Sequence, residues 1–364
     1  MQNNELLKTP NNPNNYIPKN ITNVIKGVAI LLMLFHHFFT FPDWYTGTIT
    51  YGFENVLYFL CGPTRICVGI FCFLTGYFYF FNNNKNYKYS LKKIVNIHIN
   101  YVSVFIPFLI LSLILGCYEL SYITIFEFLG MNDQIMVFCW YVWFYFLVML
   151  TMPLFVKAEN KHVLWGVLLG FVLPMLICGI YSRYIHLNSS LLYAAGHEYT
   201  TFYCVVIIGY MCAKYNIFNK VFDRIFKAKV KSKVLIFFIN LFLIIFSFLG
   251  KNFLPGVYYG FLGLNLDVVY VPLFIYGLVN IALLIKNEKF LIPLQFLGKY
   301  SLTMWFVHCV FFNCLSVYTQ QILYLPKNII LVYIWGTLIT LLVAYLIELP
   351  VKQFTKFINN RVFK

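Results

Sequence analysis

Long apolar runs recur along the whole chain, each closed by a short polar or aromatic stretch. A helix rises about 1.5 Å per residue, so runs of this length suit a hydrocarbon core of ~30 Å. The pattern predicts ten helical spans, at 24–41, 64–81, 97–117, 138–156, 163–180, 199–213, 234–250, 268–285, 301–317 and 329–349. The fold class expected is an all-α integral membrane protein, with about ten transmembrane helices in one bundle. Residues 1–22 are polar and Asn-rich and read as a mobile lead segment without a cleavable signal. Residues 23–354 form the transmembrane domain, and 355–364 a basic cytoplasmic tail. No internal repeat is visible, and the loops are too short for a separate soluble catalytic domain.

Composition strengthens this reading. The 364 residues are 61% hydrophobic and 11% charged, against roughly 25% charged in soluble proteins. Ten cysteines fall almost entirely in apolar runs, where Cys behaves as a small hydrophobe. Their spacing points to neither disulfides nor a metal site.

The net charge of +15 is ordered along the chain. With the N-terminus placed in the cytoplasm, 23 of the 27 Lys and Arg fall on the inner side, densest in the loop 214–233. Only Arg65, Arg183, Lys251 and Lys327 fall outside or near the outer face. That bias follows the positive-inside rule and puts both termini in the cytoplasm. The basic charge is thus topological; no nucleic-acid-binding pattern accompanies it. Seven of the 12 carboxylates, including Asp43, Glu127, Glu198 and Asp267, fall on the outer side. The outer loops are also rich in Tyr, Phe and Asn. Aromatic faces with amides suit sugars, and they equally suit an interfacial aromatic belt.

The first span, "NVIKGVAILLMLFHHFFTFPDW", poses the chemical question. His37 lies about 16 Å along the axis from Lys26, near mid-membrane if Lys26 marks the inner edge. Ionisable residues at that depth usually face a polar cavity. The bland alternative is a neutral His hydrogen-bonded to a neighbouring helix. Adjacent helical positions diverge by about 100°, so only one of His36 and His37 is expected in a pocket. A neutral imidazole there could take a hydroxyl proton or carry an acyl group. Lys26 could hold an anion such as phosphate, or act only as a topological anchor.

These residues meet a family. "KGVAILLMLFHH" resembles the first span of membrane acyltransferase family 3, in which an Arg, a Gly and an aliphatic run precede a His eleven positions after the Arg. Counting from Lys26 gives His37, with Lys in place of Arg. "RICVGIFCFLTGYFYF" is similar to the second span, with Thr75 where Ser is usual. "SLKKIVNIHINYVSVFIP" resembles the basic entry to the third span, Lys92 and Lys93 replacing two arginines. "WYVWFYFLVML" around Trp143, "YSLTMWFVHCVF" with His308, and "YLIELPVKQF" with Glu348 and Pro350 follow in family order.

The resemblance makes 23–354 an acyltransferase transmembrane domain. It implies transfer of an acyl group, most simply acetyl, from cytoplasmic acyl-CoA to a hydroxyl of a cell-surface polysaccharide or lipid-linked sugar. His37 would be the base, with His36 the second choice. Lys26, Lys92 and Lys93 would bind the donor, and Arg65, Trp143 and His308 are possible pocket residues. Acyl-CoA is a co-substrate, and no bound cofactor or metal is expected. The partners expected are the donor, the glycan and membrane lipid, in a bacterial plasma membrane. Glu348 is expected to pair with nearby lysines, and His98 and His162 to be unremarkable. His186 and His197 could touch the acceptor. The rivals are a transporter or flippase for a lipid-linked glycan, and a non-enzymatic component of a polysaccharide assembly complex.

Overall fold

A backbone in hydrocarbon must satisfy its own hydrogen bonds, and the apolar runs accordingly become helices. The computed structural model describes residues 16–40, 54–83, 85–184, 191–222, 224, 232–259, 262–285 and 287–362. In order these are α1 (Lys19–Phe39), α2 (Glu54–Thr64), α3 (Ile66–Phe80), α4 (Tyr87–Ile114), α5 (Ile123–Phe128) and α6 (Trp140–Lys161). Then come α7 (Val163–Val167), a π-turn (Leu168–Val172), α8 (Leu173–Tyr184), α9 (Leu191–Lys214), α10 (Ile217–Phe222) and α11 (Lys233–Phe253). A hairpin of β1 (Gly256–Tyr259) and β2 (Leu262–Asn265) pairs Gly256 with Asn265 and leads into α12 (Asp267–Leu284). The chain ends with α13 (Ile292–His308), α14 (Ser316–Leu323) and α15 (Ile329–Val362). Asp43, His186 and the middle of the basic loop 214–233, at 223 and 225–231, lie outside the described residues.

Each of the ten predicted segments is mostly helical where described. Among the described residues seven helices are long and apolar enough to cross a membrane, or eight if one bent pair is a single span. The bent pair is the predicted span 301–317. Its helix begins earlier, at Ile292, and the chain turns by 112° before α14. Asn313 sets the turn: its side chain accepts from Leu315 N at 2.8 Å and donates to the Ile135 carbonyl. The predicted span 163–180 is interrupted by the π-turn. The third span starts at Tyr87 rather than 97, because Asn86 caps it by accepting from Tyr89 N at 3.0 Å. Of the lead segment 1–22, the described part is packed. Tyr16 and Ile17 are buried, and the Tyr16 hydroxyl donates to Asn280 Oδ1 at 2.5 Å.

Lipid tails are as apolar as leucine, so membrane helices associate by close packing at small residues. Two glycine pairs do this here. A Cβ on Gly27 would meet the Leu294 carbonyl oxygen at 2.1 Å, and one on Gly298 would meet that of Asn23 at 1.8 Å. These contacts clamp α1 to α13. Gly76 against Val206, and Gly209 against Phe73, clamp α3 to α9 in the same way. Gly27 lies beside Leu294 and His37 beside His308, so α1 and α13 run parallel. Glu348 pairs with Lys352 at 2.6 Å, the local lysine partner expected, and accepts from Thr303 Oγ1 at 2.9 Å. On α12, Asp267 is fully buried against Lys251 at 2.6 Å.

Candidate active site

The clamp of α1 on α13 brings His37 and His308 together. Their ring centroids are 4.8 Å apart, and Phe138 closes over both, at 4.3 Å from His37 and 6.3 Å from His308. His308 is fully buried and donates from Nδ1 to the Trp305 carbonyl one turn earlier. A carbonyl oxygen only accepts, so Nδ1 carries the proton and Nε2 keeps a lone pair. That Nε2 is buried without a partner among the described residues, as is His37 Nδ1. The bundle thus holds two facing imidazoles with spare hydrogen-bonding capacity, where an unpaired polar group costs about 1–3 kcal/mol.

His36 points elsewhere, as the helical divergence requires. Its Nδ1 donates to the Cys61 carbonyl at 2.8 Å and lies 3.0 Å from Thr40 Oγ1. Both His36 and His37 are only half-buried. Arg65 is exposed in the turn between α2 and α3, four residues beyond Cys61, whose carbonyl holds His36.

Phe138 has a φ of 65°, uncommon for a bulky residue and costing about 1–3 kcal/mol. The segment before it is held on two sides. Glu127, buried on α5, accepts from Asn132 Nδ2 at 2.6 Å, Gln134 N at 2.7 Å and Ile135 N at 3.3 Å. Burial pushes its carboxyl above the usual range, and those donors work against the shift. From the other side, Asn313 holds the Ile135 carbonyl and Cys314 N donates to Gln134 O at 3.3 Å. Glu127→Ala would strand the buried Ile135 N–H, at about 1–3 kcal/mol, and release the Gln134 N–H and the Asn132 side chain. We expect a lower melting temperature by scanning fluorimetry and reduced activity, with Phe138 no longer seated on His37.

A cavity of about 330 Å³ lies between α1, α3, α4, α6 and α13. Lys26 and Lys93 line it, and neither makes an ion pair among the described residues. A second cavity of about 500 Å³ shares Tyr89, Lys93 and Asn96 with the first and adds Lys88 and Lys92. Among the described residues no carboxylate lines either one. Lys93 Nζ sits 5.4 Å from the Tyr89 ring, which packs on Tyr79 at 5.6 Å. Eight residues back along α3, about 12 Å, Phe71 meets Trp305 at 5.3 Å, and Tyr141 stacks on the same indole at 4.5 Å. Phe71, Tyr141 and Trp305 therefore close the end away from the lysines, one helical turn short of His308.

Of the residues singled out in the sequence, His37 and His308 share one contact. Lys26 and Lys93 share one cavity, and Lys92 lines the adjoining one. Trp143 is off the cavity: its indole N–H donates to the Leu129 carbonyl at 3.0 Å and its ring packs on Phe146. The α6 aromatics that line the cavity are Tyr141 and Tyr145. His162 caps α7, His98 stacks on Tyr101, and His197 lies 3.8 Å from Glu198. Trp305 was not anticipated, although its place three residues before His308 puts it on the same helix face. Phe138 and Glu127 carry no comparable sequence signal.

No curated protein and no solved structure matches the chain. The family model described as an acyltransferase domain matches residues 21–349, which takes in both histidine helices, the lysine cavity and nearly every described helix. By that match, over nearly its whole length, this multi-pass membrane chain belongs to acyltransferase family 3.

Proposed function

We propose that the protein moves an acetyl group from acetyl-CoA to a hydroxyl of a cell-envelope glycan or lipid-linked sugar. The observation that carries this reading is the carboxylate-free cavity holding Lys26 and Lys93, which ends one turn from the His37–His308 contact. Phosphates of CoA would sit at the mouth with Lys88, Lys92 and Lys93, and at Lys26. The thioester would point toward Trp305 and the histidines. His37 would take the proton of the acceptor hydroxyl. The acceptor would arrive from the Arg65 side, opposite the donor. In this arrangement both termini and the lysine mouth face the cytoplasm of a bacterial plasma membrane, and the ten helical segments are ten crossings.

Purified protein in lipid, given radiolabelled acetyl-CoA and envelope glycans, should transfer label and release CoA. Glycan movement across the bilayer without CoA release would defeat the reading and favour a flippase. The donor site has its own test. Losing a charge-assisted hydrogen bond costs about 1.5–3 kcal/mol, so Lys26→Ala or Lys93→Ala should raise the donor KM about 10- to 100-fold. Acceptor KM should hardly change, and Lys26→Arg should keep most activity. Unchanged donor kinetics in both Ala variants would leave the lysines as topological anchors only.

A further inference from the structure

Trp305 is 3% exposed, and its indole N–H has no hydrogen-bond partner among the described residues. The group can only donate. Leaving it unpaired costs about 1–3 kcal/mol, and such an exception asks for a reason. The indole is also held still. Tyr141 stacks on it at 4.5 Å with 29° between planes, and Phe71 packs at 5.3 Å. Its carbonyl accepts from His308 Nδ1 and from Cys309 Sγ, the latter at 3.3 Å. One residue thus lines the end of the lysine cavity with its ring and orients a histidine with its backbone.

We infer that the Trp305 indole N–H is the oxyanion donor of the transfer reaction. The inference rests on the acyl-transfer reading above. The acceptor oxygen attacks the thioester carbonyl carbon, a C–O bond forms, and the hydroxyl proton passes to His37. The carbonyl π electrons move onto oxygen, where Trp305 donates its hydrogen bond. As the intermediate collapses the C–S bond breaks, the carbonyl re-forms, and CoA leaves as a thiol with the proton from His37. The N–H is already buried and fixed, so little reorganisation is needed when the negative charge develops. Tyr141, by stacking, and Phe71, by packing at a tilt, are positioning residues for it.

The test removes the N–H and keeps the ring. Trp305→Phe, and Trp305 replaced by the benzothiophene analogue of tryptophan through stop-codon suppression, both lack the donor. The analogue is nearly isosteric and retains the stacking. Removing one oxyanion donor typically costs 10²–10³-fold in kcat, and both proteins should show a fall of that order. Binding of S-acetonyl-CoA, a non-reactive ketone analogue, should stay within about threefold of wild type. If Trp305→Phe fails to bind the analogue, the benzothiophene protein decides. A benzothiophene protein with near-normal kcat overturns the inference. Near-normal kcat beside an inactive His37→Ala protein overturns it alone. A wild-type protein that releases no CoA from acetyl-CoA overturns the acyl-transfer reading and this inference with it.

Discussion

His37→Ala should remove acyl transfer from a protein that still inserts and folds. Loss of a general base typically costs 10²–10⁴-fold in rate, and loss of a nucleophile would cost more. The geometry separates the two neighbouring histidines. His37 faces His308 at 4.8 Å with Nδ1 unpaired, whereas His36 spends its Nδ1 proton on the Cys61 carbonyl at 2.8 Å. His36→Ala loses a hydrogen bond worth about 1 kcal/mol, and its activity should stay within about tenfold of wild type. His37→Gln keeps a hydrogen-bonding side chain but cannot cycle a proton, so it should fail as well. The measurement is acetyl incorporation into the envelope glycan, with each variant's level checked by immunoblot. Near-normal acetylation in His37→Ala, or a dead His36→Ala, would assign the base to the wrong ring.

That register was legible in the sequence because a helix converts spacing into direction. Eleven residues separate Lys26 from His37, which fixes their relative depth once α1 is a single unbroken helix. The same rule explains why Lys93 and Lys92 part company, one lining both cavities and the other only the second. It also explains Trp143: Tyr141 and Tyr145 share a face at a spacing of four, and a residue midway between them points the opposite way. Sequence reading failed where tertiary contacts decide. The start of α4 is not marked by apolarity, because its first turns are polar and the Asn86 cap fixes the boundary. The turn after α13 depends on Asn313 reaching Ile135, 178 residues away in sequence. The backbone of Phe138 depends on a segment tied down by Glu127, Asn313 and Cys314. None of these partners is adjacent to what it holds, so no local pattern announces them.

The second large effect should come from a residue with no side chain at all. Gly298 packs against α1 so closely that any Cβ would lie 1.8 Å from the Asn23 carbonyl oxygen and 2.9 Å from Gly27 N. Both neighbours are helix backbone, which cannot rotate aside as a side chain can. Gly298→Ala therefore forces α1 and α13 apart, and Gly298→Val forces them further. Overpacking a tight site usually costs about 1–3 kcal/mol, and contact with the rigid backbone of α1 at both Asn23 and Gly27 puts this position at the high end or beyond. The consequence reaches the chemistry, because the same two helices set the distance between His37 and His308. Gly298→Ala should lower the melting temperature and lose activity out of proportion to its remaining folded fraction. Gly298→Val should yield little folded protein. Lys299→Ala, one residue along on the exposed side of the same helix, should change neither. The readouts are monodisperse yield after detergent extraction, scanning fluorimetry, and CoA release per folded molecule. A Gly298→Val protein with wild-type yield, stability and turnover would mean that α1 and α13 do not meet at these glycines, and the pairing of His37 with His308 would fall with that contact.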